Sequence, residues 1–387
     1  MSLTFNSRVS SLEASASIAL MEKAKALKAQ GVDVISLATG EPDFDTPVSA
    51  AEAGIGGIRE GKTHYVNGRG IPALRERLAR KLRAENGLDY APEEILVTPG
   101  AKYAIFAALF TLLSPGDEVI VMNPCWVSYG AITELAGGVP VYVNLTAEDG
   151  YAITREKLAP HITEKTKLLI LNTPNNPTGR ALTQQEAEVL RDLAVEHDFF
   201  ILSDEIYEKI LFDGRRHISI GALPDMRERV ITLNGLSKCA AMTGWRVGYL
   251  AAPRALVDMI YMFYQHTLTC IPEFSQLAAL EALEHPEEFE RMTESFLARR
   301  KLWQERMSRI GAVRCLPAEG TFYGWMHIEK DGMDSAEIAA YLLEQARVVV
   351  VPGTAYGEST PGYVRVSLAT AAEDLIKAAD RLEAALQ

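Results

Sequence analysis

This chain lacks the features that would staple, anchor or metallate it. Its four cysteines, Cys125, Cys239, Cys270 and Cys315, stand far apart and form no Cys-x-x-Cys pair. Zinc-ribbon and dithiol-redox chemistry therefore have no support, and small packing roles are expected for all four. The seven histidines show no His-x-x-x-His spacing, so no metal site is expected. The longest apolar run, Ala104 to Leu113 with Thr111 inside it, falls far short of the ~20 residues a membrane helix needs. The opening residues, Met1 to Arg8, hold no apolar signal-peptide core, and a cytoplasmic location is expected by elimination. Basic residues are in deficit: 39 Lys and Arg against 51 Asp and Glu give a net charge of −12. That disfavours nucleic acid or an anionic membrane as partner, since both demand a basic surface. No internal repeat, low-complexity tract or charged tail is visible.

What is present is the texture of a globular enzyme. With 387 residues the chain suggests two or three domains and buries ample core without disulfides. From about 95 to 252, short β-rich runs alternate with helical patterns: 95–98, 118–122, 140–145, 167–171, 199–203, 230–233 and 247–251. Most are continuously apolar, which suits a sheet covered on both faces, and the alternation predicts a largely parallel α/β sheet. A capping-box pattern, Thr183-x-x-Glu186, opens a helix expected to run to about Glu196. An amphipathic helix is expected over 18–30 and a short strand over 34–37. After Ala252 the texture changes to one long helical stretch over 273–310. Strands at 322–328, 348–351 and 363–368 follow, with helices over 335–346 and from Ala371. The fold class is α/β, with a mostly parallel central sheet in a large domain over 48–281. A smaller α+β domain is formed by 1–47 and 282–387.

Three motifs fall at the ends of predicted strands, where α/β sheets place their ligands. Asn172-Thr-Pro-Asn-Asn176-Pro-Thr-Gly179 brings an amide. Asp204-Glu-Ile-Tyr207 brings a carboxylate and, three residues on, a phenol. Ser237-Lys238 is followed after eight residues by Arg246, across a small-residue run expected to be helical. A fourth segment, Val97-Thr-Pro-Gly100-Ala101-Lys102, reads as strand, tight turn and helix start, a ready anion site. An amine, a carboxylate, a phenol, an amide and an arginine are what pyridoxal 5'-phosphate requires. Each has a plainer reading alone: Lys238 as a solvated charge, Asp204 as a helix N-cap, Asn176-Pro-Thr-Gly as a turn, Trp126 as core. Gly68-x-Gly70-x-x-Ala73 formally resembles a dinucleotide fingerprint but follows no convincing strand, so a nicotinamide oxidoreductase is disfavoured.

The order and spacing of these motifs resemble the class I aminotransferases of fold type I, nearly end to end. The resemblance implies a pyridoxal-phosphate enzyme that moves the amino group of an L-amino acid to a 2-oxo acid, commonly 2-oxoglutarate. It implies that Lys238 carries the cofactor and then moves the substrate proton. Asp204 would face the ring nitrogen, Tyr207 and Asn176 the ring oxygen, and Trp126 would stack on the ring. Gly100, Ala101, Lys102, Ser237 and Arg246 would hold the phosphate, joined by Tyr65 from a second subunit, which implies a homodimer with shared sites. Arg365, mid-strand in an apolar run, matches the α-carboxylate arginine, and Gly40 matches a glycine that approaches the substrate.

Within the family the chain resembles the bacterial aspartate aminotransferases. Lys102 matches the lysine that binds a distal carboxylate there, and Ser15 and Ser17 match a supporting hydroxyl pair. This favours L-aspartate. The stretch His266 to Gln276 departs from the family's usual small polar residues. Glu273 and Phe274 there would repel an acidic tail or favour an apolar one, leaving aromatic and alanine-type donors as alternatives. A β-lyase on the same fold is a further rival, because it would use the same Lys238, Asp204 and Arg365. A DNA-binding regulator is disfavoured by the absence of a basic N-terminal module.

Overall fold

Apolar runs of four to seven residues become the strands of a central sheet, and their hydrogen-bonding order sets where the functional residues fall. The computed structural model describes residues 5–10, 12 and 16–387, with the backbone alone for 16–19 and 21. A helix, Ala16–Ala29, leads to the two-residue strand β1, Ile35–Ser36. The central sheet follows: β2 (Ile95–Thr98), β3 (Glu118–Asn123), β4 (Val139–Asn144), β5 (Thr166–Asn172), β6 (Phe200–Asp204), β7 (Val230–Gly235) and β8 (Gly248–Ala251). Their order is β2-β8-β7-β6-β5-β3-β4. Only β8 runs antiparallel to its neighbours, so the sheet is mostly parallel, as expected.

Both faces of this sheet are covered, which is why its strands read as unbroken apolar runs. Leu168, Ile170 and Leu202 pack toward the helices Ala101–Leu112 and Arg254–Thr267, while Leu169, Leu171 and Ile201 face the helix Gln184–Glu196. That last helix begins as its sequence predicts: the Thr183 hydroxyl accepts from the Glu186 N–H at 3.3 Å, and the Glu186 carboxylate accepts from the Thr183 N–H at 3.0 Å. The edge strand β4 is the exception, with Val139 and Tyr142 about half exposed.

The remaining strands are β9 (Val313–Leu316), β10 (Tyr323–Ile328), β11 (Val348–Val349), β12 (Val351–Pro352) and β13 (Tyr363–Ser367). Four of them form an antiparallel sheet in the order β12-β13-β10-β9, while β11 pairs in parallel with β1. Three expectations need correction. The stretch 273–310 is two helices, Glu273–Leu283 and Pro286–Met307, because Pro286 can start a helix but cannot continue one. The run 348–351 divides between two partners, β1 and β13. The segment between Lys238 and Arg246 is a chain of turns rather than a helix, with Ala241 and Arg246 at φ of 49° and 56°. Among the described residues no helix is long and apolar enough to cross a membrane.

Behind the central sheet lies a buried ionic cluster. The Lys81 ammonium pairs with Glu208 and donates to Asn86 Oδ1 at 2.7 Å. Asn86 in turn donates to Glu208 at 2.7 Å, while Ser219 and His217 contact Glu205 at 2.7 and 2.8 Å. Burial alone would raise the Glu208 carboxyl, but Lys81, His217 and Lys209 outweigh it and hold the group at about 2, below its ordinary 4.5. The ionised form is thus favoured by folding. Its contribution is complete above the unfolded value of 4.5 and is lost as pH falls toward 2. Lys81→Met, which strands a buried carboxylate, is expected to cost about 3–5 kcal/mol in denaturant unfolding at neutral pH. It should also flatten the acid limb of stability between those two pH values; an unchanged limb would assign that dependence to another carboxylate.

Candidate active site

The parallel register brings residues far apart in sequence to one edge of the sheet. Asn172 pairs with Asp204, and Asp204 with Leu233, so the last residues of β5 and β6 stand side by side, next to the C-terminal part of β7. A cleft of about 460 Å³ opens at this edge. Its walls include Gly40, Ala101, Lys102, Trp126, Asn176, Asp204, Tyr207, Ser237, Lys238, Arg246 and Arg365. Four cationic residues, Lys102, Lys238, Arg246 and Arg365, line it against two acids, Glu41 and Asp204. A protein of net charge −12 therefore presents a locally cationic cavity, suited to anionic ligands.

Lys238 follows β7 and points across the cleft, where its ammonium donates to the Gly40 carbonyl. Burial first, with Arg365 and Arg246 adding repulsion, lowers its pKa to about 8, although Glu41 and Asp204 pull the other way. A lysine so tuned has a usable neutral fraction near physiological pH. Asp204 is the last residue of β6 rather than the residue after it. One carboxylate oxygen accepts from the Tyr129 hydroxyl at 2.7 Å and the other from the Ile206 N–H at 3.2 Å. Burial raises it to about 6 despite those two bonds, so the site holds a carboxylate that a facing cation would return to full ionisation. The Tyr207 ring is buried beside it, and its hydroxyl lies 3.0 Å from that of Tyr323. Burial and Tyr323 push the Tyr207 phenol well above its ordinary range, so it retains its proton as a donor.

An anion cradle lies at the adjoining corner. Gly100, at φ 84°, turns the chain from β2 into the helix Ala101–Leu112, and no side chain caps that helix's first N–H groups. The neighbouring strand β8 begins with Gly248, where a Cβ would lie 2.5 Å from the Gly100 carbonyl carbon. Only glycine permits this approach. The Arg246 guanidinium sits beside the turn, donating to the Pro99 carbonyl at 3.2 Å and the Thr243 carbonyl at 2.8 Å. Open helix N–H groups and a guanidinium together fit a phosphate.

On the opposite wall, Arg365 is 3% exposed in β13. Its two terminal nitrogens donate to Asn176 Oδ1 at 3.1 Å and the Ala38 carbonyl at 3.0 Å, while its Nε has no hydrogen-bond partner. A guanidinium lining the cleft suits a carboxylate, which its planar fork can meet with two bonds. Lys102 stands 4.8 Å over the Trp126 ring, and partial burial together with Arg246 lowers its pKa.

The sequence reasoning missed Tyr129, Asn172 and Tyr323. Asn172 accepts from the Asn176 N–H at 2.9 Å and donates to the Asp204 carbonyl at 3.0 Å, joining two motifs that were read separately. Tyr129, three residues after Trp126, carried the only usable signal, its proximity to a motif. Tyr65 lies outside this cleft and is 85% exposed. Glu273 and Phe274 also lie outside it: Glu273 is 3.8 Å from Lys62, and Phe274 packs near Gly57. Ser15 lies outside the described residues, as does the side chain of Ser17.

The aminotransferase class I and II family model matches residues 32–382. An aspartate aminotransferase of Musicola paradisiaca is 41% identical over 98% of this chain and 96% of its own length. The aromatic-amino-acid aminotransferase 2 of Thermococcus litoralis is 43% identical, covering 93% of each chain. The solved structure of Thermus thermophilus aspartate aminotransferase with maleate superposes with a TM-score of 0.94, at 41% identity and full coverage of both chains.

The depressed lysine gives a direct test. In cofactor-free protein, acylation of Lys238 followed by peptide mapping should rise with pH around a midpoint near 8, as the neutral amine accumulates. A midpoint near the ordinary 10.5 would show that the cleft does not tune this group.

Proposed function

The chain belongs to the class I and II aminotransferases, and from that premise we propose that it binds pyridoxal 5'-phosphate and moves the amino group of L-aspartate to 2-oxoglutarate in two half-reactions. The convergence of Lys238, Asp204, Arg246 and Arg365 in one cationic cleft carries this reading. The helix start at Gly100-Ala101-Lys102, with Ser237 and Arg246, fits the phosphate. Lys238 supplies the amine that holds the group, Asp204 the carboxylate for its ring nitrogen, Tyr207 and Asn176 the donors for its ring oxygen, and Trp126 a stacking face. When bound, the cofactor supplies the electron sink that lets the substrate's α-proton leave.

The chain's own residues do the rest. Arg365, which lines the cleft, receives the α-carboxylate and fixes the substrate's orientation. Gly40, without a side chain, leaves room beside Tyr323, whose hydroxyl an added Cβ would meet at 3.3 Å. Lys238, with a pKa of about 8, takes the α-proton as a neutral amine and returns it to the adjacent carbon. The Trp126, Tyr129 and Tyr207 rings in the cleft wall limit water near that transfer. Lys102, at the rim, takes the distal carboxylate, with Ser15 and Ser17 in support.

The enzyme is proposed to work in the cytoplasm as a homodimer with shared sites. Large exposed apolar side chains, including Val48, Ile58, Met259 and Met262, together with Tyr65, support burial against a second copy. We assign 48–281 to a large domain and 1–47 with 282–387 to a small one, a division supported by the pairing of β1 with β11. An aromatic donor is the second reading, favoured by the Trp126 face beneath Lys102.

Adding L-aspartate to the loaded protein without acceptor should abolish its visible absorption band, and 2-oxoglutarate should restore it. Lys102→Ala is expected to lower kcat/KM for aspartate about 10- to 100-fold, the worth of one charge-assisted bond, while sparing alanine. An equal fall for both donors would assign Lys102 to the phosphate; a band indifferent to aspartate would move the donor to the aromatic class.

A further inference from the structure

Tyr323 touches both halves of the proposed chemistry. It opens β10 and is 1% exposed. In the antiparallel register Tyr323 pairs with Ser367 and Trp325 with Arg365, so Arg365 is the diagonal neighbour of Tyr323 on the same face of the sheet. The Arg365 guanidinium lies 4.2 Å from the centre of the Tyr323 ring. The other end of that ring, its hydroxyl, meets the Tyr207 hydroxyl at 3.0 Å and makes no other hydrogen bond among the described residues. The two phenol rings meet edge to face, with centroids 5.9 Å apart. One side chain thus stacks on the carboxylate receptor and hydrogen-bonds the phenol assigned to the ring oxygen.

We propose that Tyr323 is a positioning residue that orders Tyr207 as a donor and holds the Arg365 fork in plane. The inference rests on the reading of Tyr207 and Arg365 given above. Its logic is a count of protons. A phenol has one to give, and if Tyr207 gives its proton to the cofactor's ring oxygen, the 3.0 Å contact requires Tyr323 to donate to Tyr207. A donor that is itself hydrogen-bonded as an acceptor is polarised and donates more strongly. A stronger bond to the ring oxygen favours its anionic form, which holds less tightly the proton it shares with the Lys238 nitrogen. Separately, the ring face fixes the guanidinium plane that a carboxylate must meet edge-on.

The two roles separate by substitution. Tyr323→Phe keeps the ring and removes the hydroxyl; Tyr323→Leu removes both. In the loaded enzyme the visible band is titrated against pH for wild type, Tyr323→Phe, Tyr207→Phe and the double variant. The charged groups that face Lys238, namely Glu41, Asp204, Arg246 and Arg365, are the same in all four. Tyr323→Phe should raise the midpoint by roughly 0.3 unit, about twofold in proton affinity, with Tyr207→Phe raising it further. In the Tyr207→Phe background the effect of Tyr323→Phe should vanish. Binding of 2-methyl-L-aspartate, which has no α-proton, should weaken about three- to tenfold in Tyr323→Leu and stay unchanged in Tyr323→Phe.

A wild-type midpoint in Tyr323→Phe, when Tyr207→Phe has moved it, overturns the coupling through Tyr207. A shift that survives undiminished in the double variant does the same. Equal binding by the Leu and Phe variants overturns the role toward Arg365. If Tyr207→Phe itself leaves the band unmoved, the assignment of Tyr207 fails, and the donor role of Tyr323 falls with it.

Discussion

The alignment of parallel strand ends is the constraint on which the site depends. Asp204 stands between Asn172 and Leu233 because β5, β6 and β7 run in one direction in fixed register. A slip of one residue in β6 would turn the Asp204 side chain to the opposite face and bury it among the aliphatic side chains there. The apolar packing on both faces makes such a slip costly, so the core fixes the register that holds the carboxylate in place. The antiparallel β8 adds a second constraint. By inserting between β2 and β7 it brings Gly248 against Gly100, setting the anion cradle beside Lys238.

Charge is distributed to the same end. Most acidic residues are on the surface, and the cleft reverses the sign of the whole molecule. Two buried carboxylates adjacent in sequence have quite different neighbours. Asp204 faces the cleft with a phenol and one N–H for company and is raised by burial. Glu205 points the other way, into the cluster with Ser203, Asn86, Ser219 and His217. The chain thus sends one carboxylate to the cleft and the next into a hydrogen-bonded cluster, which anchors the backbone from which Asp204 projects.

Much of this was legible in the sequence wherever a local pattern carried the meaning. The strands of the central sheet, the Thr183 capping box, the Gly100 turn and the motif residues that enter the cleft all announce themselves within a few positions. What stayed hidden depends on distant partners. Tyr323 and Tyr129 are ordinary core tyrosines in sequence; strand register places the first on Arg365, and the packing of the helix Ser128–Ala136 places the second on Asp204. The run from Lys238 to Arg246 reads as helical because Ala240, Ala241 and Met242 favour helix. The fold instead spends positive φ at Ala241 and Arg246 to turn the guanidinium back onto Pro99, a tertiary demand that propensity does not register. β9 escaped notice because Arg314 interrupts a four-residue run.

The pairing of β1 with β11 also bears on how the protein is made. Ile35 finds its partner only at Val348, and Arg365 reaches back to the carbonyl of Ala38. During synthesis these early residues wait, unpaired, while nearly the whole chain emerges. The strands that carry Asp204 and the approach to Lys238 lie between 95 and 251 and can assemble meanwhile from contacts closer in sequence. The sheet that carries Asp204 can therefore form on the ribosome, whereas the surroundings of Arg365 are completed only near the end of translation.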